Sequence, residues 1–396
     1  MAFITGTQMK SLRLILTNPR YFAPAWVFTS LNLLFGTWAI YIPFVKEDLG
    51  IDKATLGIAI FFLALGVFTI FPIASRIINR LGVGRATWAG VVLLCLTAIF
   101  PVMAPSFLTL IIALFLFGAT NGFTDISMNT LVTEIEKEDK QNFMSASHGF
   151  FSLGGVIAGL GSFLIPILDN RVLHMAIAIA IVFVINLIFR NNFKHIVAAP
   201  IEKEPFSFKN FRPLLLLGIV SFIVMGSEGA IVDWSGLFLK EVSIAPEALW
   251  GAGFLGFQSL MTLGRFLGDA ISEKLGSVKI VAAGALIAIL GFVLVLSTQL
   301  YLAILGFALT GLGFSVIIPE LFRIGGNVKG VESSQGVAFI AGTGYSGFLL
   351  GPVILGFIAE KFSLNLTFTL LLACSVVVLL ATRVLRKRKA KVGVSD

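Results

Sequence analysis

At 396 residues the chain could hold two or three soluble domains, yet only 13% of it is charged and 57% is hydrophobic, with 38 Phe and 40 Gly. Ordinary soluble domains carry roughly a quarter charged residues, so a mean hydropathy of +0.97 excludes a soluble multidomain protein, a disordered chain and a nucleic-acid binder. What remains is an all-α membrane protein, in which the net charge of +8 has to be read by position.

A membrane-crossing helix needs about 20 mostly apolar residues, and twelve such segments can be marked. The first six lie at about 24–45, 54–75, 86–104, 107–131, 144–168 and 172–190. Span one carries Asn32, Trp38 and Tyr41, the last two three residues apart and so on one face. They suit stacking on a solute ring, or plain packing. Span four carries Asn121, Asp125 and Asn129, with Asn129 one turn beyond Asp125 on the same face. His148 opens span five at a similar depth. The spacing lets Asp125 and His148 meet, either to share a proton whose affinity follows conformation or to lock two helices together. Cys95 and Cys374 sit in separate apolar spans, with neither disulfide nor metal spacing.

The longest polar loop, 191–212, divides the chain into 1–190 and 213–396, six spans each. The remaining spans lie at about 213–239, 248–268, 278–297, 300–322, 335–358 and 363–383. Ionisable residues inside spans are costly and functional by default. Glu228 falls near the middle of span seven, at the depth of midplane solute sites, where a carboxylate can take a proton from one side and release it to the other. Asp233 lies five residues on, about 140° around the helix, and suits an outer gate, with Trp234 at a cavity rim. Gln258 in span eight and Tyr345 in span eleven add hydrogen-bonding groups. Arg265, Asp269, Glu273 and Lys274 read as a cytoplasmic charge network, and Glu320 and Arg323, three residues apart, as a gate brace.

Two stretches, Gly251 to Gly256 and Gly342 to Gly347, match Gly-x-Gly-x-x-Gly. A dinucleotide fingerprint requires a preceding strand, and both lie in apolar helices, where small residues permit close helix approach. No Walker loop, zinc-ligand cluster or nucleophile–base–acid set is visible. The expectation is a protein that is not an enzyme, uses no cofactor or metal and draws on an ion gradient for energy.

Placing the N-terminus inside puts 24 of the 29 basic residues in inward loops. Only Lys46, Lys53, Arg171, Lys240 and Lys361 face outward, in loops that also hold seven acids. This is the positive-inside pattern, and it predicts two cytoplasmic termini. The +8 charge then reports contact with an anionic leaflet.

The halves echo each other. Asn79-Arg80-Leu81-Gly82 with Arg85 follows span two, and Glu273-Lys274-Leu275-Gly276 with Lys279 follows span eight, 194 residues later. Gly122-Phe123 in span four pairs more weakly with Gly313-Phe314 in span ten. Transporters use such repeats to build bundles around a central site.

In these loops the chain resembles the major facilitator superfamily, whose signature has the form Gly-x-x-x-Asp-Arg-x-Gly-Arg-Arg. The first copy is degenerate, with Asn79 in place of the Asp; the second carries Gly268-Asp269 upstream of the acid–base pair Glu273-Lys274. Phe35-Gly36-Thr37-Trp38, Gly122 to Asn129, Met144 to Gly155, and Glu228-Gly229-Ala230 with Asp233-Trp234-Ser235 are similar to a bacterial inner-membrane branch related to fucose-permease-like sugar:proton symporters. The resemblance implies twelve helices in two pseudo-symmetric six-helix bundles. It also implies a monomeric, proton-coupled transporter of a small polar, sugar-like solute, working by alternating access. The alternative is a proton-driven antiporter exporting amphipathic compounds, which would need a mostly apolar, aromatic cavity.

Overall fold

A computed structural model describes residues 7–197, 212–328, 331 and 333–392, with several helical positions, among them 268–270, 273 and 274, described by backbone alone. Every regular element among the described residues is helical. Among the described residues, eleven helices are long and apolar enough to cross a membrane, and the helix Ala252–Leu275 occupies the place of the eighth expected span. The chain folds as two compact units, Met1–Glu202 with Glu247–Gly251, and Lys203–Pro246 with Ala252–Asp396.

The first unit contains α1 (Thr7–Thr17), α2 (Pro19–Asp48), α3 (Lys53–Leu81), α4 (Val83–Ala98) continued by α5 (Phe100–Met103), and α6 (Phe107–Asp139). α7 (Met144–Gly161) runs through a short 3-10 turn into α8 (Ile165–Leu168), and α9 (Arg171–Phe189) follows. Polar residues in the loops start these helices. The side chains of Asn18, Asp52 and Asn170 accept from the backbone N–H of Arg20, Thr55 and Leu173 at 3.0, 2.6 and 2.9 Å, and Ser106 and Thr109 form a reciprocal capping box. Each cap satisfies a donor that an apolar helix start would leave unpaired. α3 packs on α6, and α2 on α7.

The second unit contains α10 (Leu215–Glu241), α11 (Ala252–Leu275), α12 (Ser277–Val295), α13 (Leu300–Phe314) continued by α14 (Ile317–Gly325), α15 (Ser333–Lys361) and α16 (Leu364–Val392). Here α11 packs on α13, and α10 on α15. These are the same pairings as in the first unit, taken in repeat order. A Cβ at Gly118 of α6 would run into the Leu63 carbonyl of α3, and one at Gly311 of α13 into the Phe257 carbonyl of α11. Gly154 of α7 likewise meets the Thr29 carbonyl of α2, as Gly347 of α15 meets the Phe222 carbonyl of α10. Each residue has its counterpart 193 or 194 positions on (118 to 311, 63 to 257, 154 to 347, 29 to 222). Only glycine allows backbones this close.

The echoed Leu-Gly turns share their geometry as well. Gly82 ends α3 at φ +80° and ψ 144°, and Gly276 ends α11 at φ +78° and ψ 150°, a region that side-chain-bearing residues avoid.

Candidate functional site

The polar residues of the second unit gather on α10 and α11. Glu228 stands in the middle of α10, and its Oε2 lies 3.9 Å from Nη2 of Arg265 on α11. The side chains are only 12% and 23% exposed, so a carboxylate and a guanidinium face each other away from bulk water. Its other oxygen, Oε1, is buried and has no hydrogen-bond partner among the described residues. Gly229, next along α10, leaves the space that the Phe348 ring of α15 fills.

The sequence groups Arg265 with Asp269, Glu273 and Lys274 at the cytoplasmic end of α11. The side chains of those three lie outside the described residues. Arg265 itself reaches inward to Glu228, because it stands ten residues before the Leu275 end of α11, about 15 Å of helix.

The remaining expected residues of this unit are buried to different degrees. Asp233 is 7% exposed and Trp234 fully buried, its indole N–H unpartnered among the described residues. Gln258 is 4% exposed with Oε1 unpartnered, and Tyr345 is half-buried. Glu320 and Arg323 do pair, at 3.1 Å, and Arg323 also donates to the Ser272 hydroxyl of α11 at 2.8 Å. The brace therefore joins α14 to α11.

In the first unit the expected solute-contacting residues are largely engaged with the protein. Asn32 donates from Nδ2 to the Phe151 carbonyl of α7 at 3.0 Å. Trp38 is buried, with its indole N–H unpartnered among the described residues. The Tyr41 hydroxyl lies 2.9 Å from Nδ1 of His174 on α9, and both residues are buried. Asn121 is half-buried with Nδ2 unpartnered among the described residues. Asn129 donates to the Asp125 carbonyl at 2.9 Å and to its carboxylate at 3.2 Å. His148 is exposed at the start of α7, and its ring meets Phe28 edge-on at 5.1 Å.

Two pairings, Glu228 with Arg265 and Tyr41 with His174, escaped the sequence. His174 was visible as one of only three histidines, inside an apolar stretch. The Glu228 partner had no signal, since spacing along one helix says nothing of its register against the next.

The sequence profile of the Major Facilitator Superfamily matches residues 26–324. An uncharacterised MFS-type transporter of Yersinia pestis is 30% identical over 339 residues, covering 85% of this chain and 88% of that protein. Membrane protein MosC of Rhizobium meliloti is 29% identical over 365 residues, covering 91% and 88%. Among solved structures, the nucleoside transporter NupG aligns with a TM-score of 0.73 at 14% identity, covering 93% of this chain and 99% of that one. An inward-facing, unoccupied bacterial homolog of the human lysosomal transporter Spinster aligns with a TM-score of 0.69 at 15% identity, covering 92% and 97%. At these identities the structural likeness speaks to fold.

Proposed function

The chain belongs to the Major Facilitator Superfamily, and on that basis we propose that it is a proton-coupled secondary transporter of a small polar, sugar-like solute. In this reading it works by alternating access, as a single chain, in the bacterial inner membrane with both termini cytoplasmic. The observation that carries the proposal is the Glu228–Arg265 pair, with its unpartnered carboxylate oxygen.

Arginine keeps its charge under all physiological conditions, so the charge state of the pair turns on Glu228. With Glu228 ionised, the two charges compensate each other in a site where an isolated charge is costly. A proton on Glu228 removes that attraction and frees the guanidinium to hold an acceptor oxygen of the solute. A solute hydroxyl can in turn donate to Oε1. Proton and solute thus act on the same two side chains, and each alters the conformational preference only as far as it binds the two states differently. Asp125, held by Asn129, and His148 form a second candidate proton site in the first unit. Within the second unit Trp234, Gln258 and Tyr345, and separately within the first unit Asn32, Trp38, Asn121 and Asn129, are the polar and aromatic groups assigned to the solute. Asp233, Asp269, Glu273, Lys274, Glu320 and Arg323 are assigned to the gates.

The test is transport in proteoliposomes. A solute found by thermal-shift screening of sugars, nucleosides, organic acids and cationic drugs should drive proton movement. Glu228→Gln should abolish that coupling. Solute flux indifferent both to this change and to an imposed pH gradient would overturn the proposal.

A further inference from the structure

The fold of the first unit brings together two stretches, 53–124 and 170–201, that contain no acid. They meet where the turn between α3 and α4 touches the segment that follows α9. A 3-10 turn, Arg190–Asn192, leads from α9 into Phe193, and Phe193 and Ile196 are both buried, so this segment is packed down on the unit. The Gly84 N–H donates to the Ile196 carbonyl at 3.0 Å. A Cβ at Gly84 would run into the Phe193 carbonyl and lie 2.9 Å from the Lys194 Cα. Lys194 is thereby pinned beside the start of α4. Arg190 reaches the same helix through its side chain, with its guanidinium carbon 5.5 Å from the centre of the Trp88 ring. Arg85 stands three residues before Trp88, on the same face of α4. Arg85, Lys194 and, just before the turn, Arg80 are exposed.

These cations have no acid to balance them. α6 packs on both α3 and α4, but the acids of its last turns are engaged elsewhere. Glu134 pairs with Lys137 at 2.7 Å, and Glu136 accepts the Phe143 and Met144 N–H groups at 2.5 and 2.7 Å. Glu138 and Asp139 each take Arg20 at 2.7 Å. Arg80, Arg85, Arg190 and Lys194 form no ion pair among the described residues. Like charges held together repel one another and draw an anion from outside. The neighbouring surface says which anion. Val184, Leu187 and Ile188, on one face of the last turns of α9, are exposed, an apolar strip that ends at Arg190. A free phosphate would use the bases alone, whereas a phospholipid uses the bases for its phosphate and the strip for its acyl chains. Basic clusters at the ends of membrane helices hold anionic headgroups in this way, and an indole ring suits that level of a bilayer.

We propose that Arg85, Arg190 and Lys194 bind the phosphate of one anionic phospholipid, whose acyl chains lie along α9. The site is in the other unit from Glu228 and needs neither solute nor proton coupling, so it stands or falls apart from the transport reading.

Native mass spectrometry of the purified, delipidated full-length chain in detergent tests it, with phosphatidylglycerol and phosphatidylcholine as the added lipids. Each base beside an anionic headgroup is worth about fivefold in affinity, so the first phosphatidylglycerol should bind about tenfold or more tightly than phosphatidylcholine. For the same reason Arg85→Gln combined with Lys194→Gln should weaken phosphatidylglycerol binding about tenfold or more. Arg383→Gln combined with Arg386→Gln removes the same charge from exposed positions of α16 and should leave it unchanged. Gly84→Ala removes no charge but displaces the Lys194 segment, and should also weaken binding; if that variant does not fold, the two double variants decide. Equal affinity for phosphatidylcholine, equal losses in both double variants, binding unmoved by any variant, or displacement of the lipid by inorganic phosphate would overturn the site.

Discussion

Tyr41 shows how burial redirects a side chain that the sequence offers to a solute. Its hydroxyl sits against His174 Nδ1, and the imidazole is in turn pressed on α7, where a Cβ at Gly161 would lie 2.9 Å from His174 Nε2. Tyr41→Phe leaves a buried imidazole nitrogen unpaired. Stability should fall by about 1 kcal/mol, seen as a lower Tm, with solute affinity unchanged; weaker binding at unaltered Tm would return Tyr41 to the solute site. Asp52 gives a second case, outside the membrane. Hydrogen bonds from the side chain and backbone of Thr55 hold its carboxyl below the usual aspartate range, which favours the ionised cap at the start of α3. The cap therefore contributes fully above about pH 4, the unfolded value, and is lost as pH falls through the lower folded value. Asp52→Ala should cost about 1 kcal/mol at neutral pH and less in acid, measured by thermal unfolding across that range.

At the scale of elements, the glycines divide by what stands opposite them. Gly118 and Gly311 face carbonyls of α3 and α11, so alanine at either must push two membrane helices apart. Gly342 has nothing within 4 Å, and alanine there should raise stability by up to about 1 kcal/mol through helix propensity. Size-exclusion profiles and melting curves of the three variants check this: matched losses for Gly118→Ala and Gly311→Ala, none for Gly342→Ala. The helices themselves were legible because a bilayer demands about 20 apolar residues in a row. Their ends were less so. α6 runs on to Asp139, beyond the expected end near 131, because a charged stretch that includes the Glu134–Lys137 ion pair continues the helix past the apolar window. The 3-10 turn at Ser162–Leu164 and the break between α13 and α14 also went unseen, since hydropathy does not report backbone hydrogen bonding. Of the ionisable residues of the site, Glu228 was legible by its cost in an apolar span, while Arg265 was grouped with the cytoplasmic charges. Which of them meet was not, because contact between helices depends on tilt and register.

For the whole molecule, the repeat and the charge asymmetry are separate constraints on one topology. The glycine contacts recur at a shift of 193 or 194 residues, so the two halves are built to one plan of helix pairing. Six spans per half is an even number, which returns the chain to its starting side at the linker and again at its end. Local geometry alone would permit either orientation. The distribution of bases is expected to decide between them, because translocating Lys and Arg is disfavoured and, with Arg265 withdrawn to Glu228, 23 of 29 fall in the loops assigned to one side. The loop after α10 should then be external and the segment after α9 cytoplasmic. Ile244 is 76% and Val197 69% exposed, so both can report on sidedness. In intact cells a membrane-impermeant maleimide should label Ile244→Cys and spare Val197→Cys, which should react only after lysis. Cys95 is buried and Cys374 lies within α16, so the unsubstituted chain provides a low background. The reverse labelling pattern would mean that the positive face is external, and would overturn the assignment of both termini to the cytoplasm.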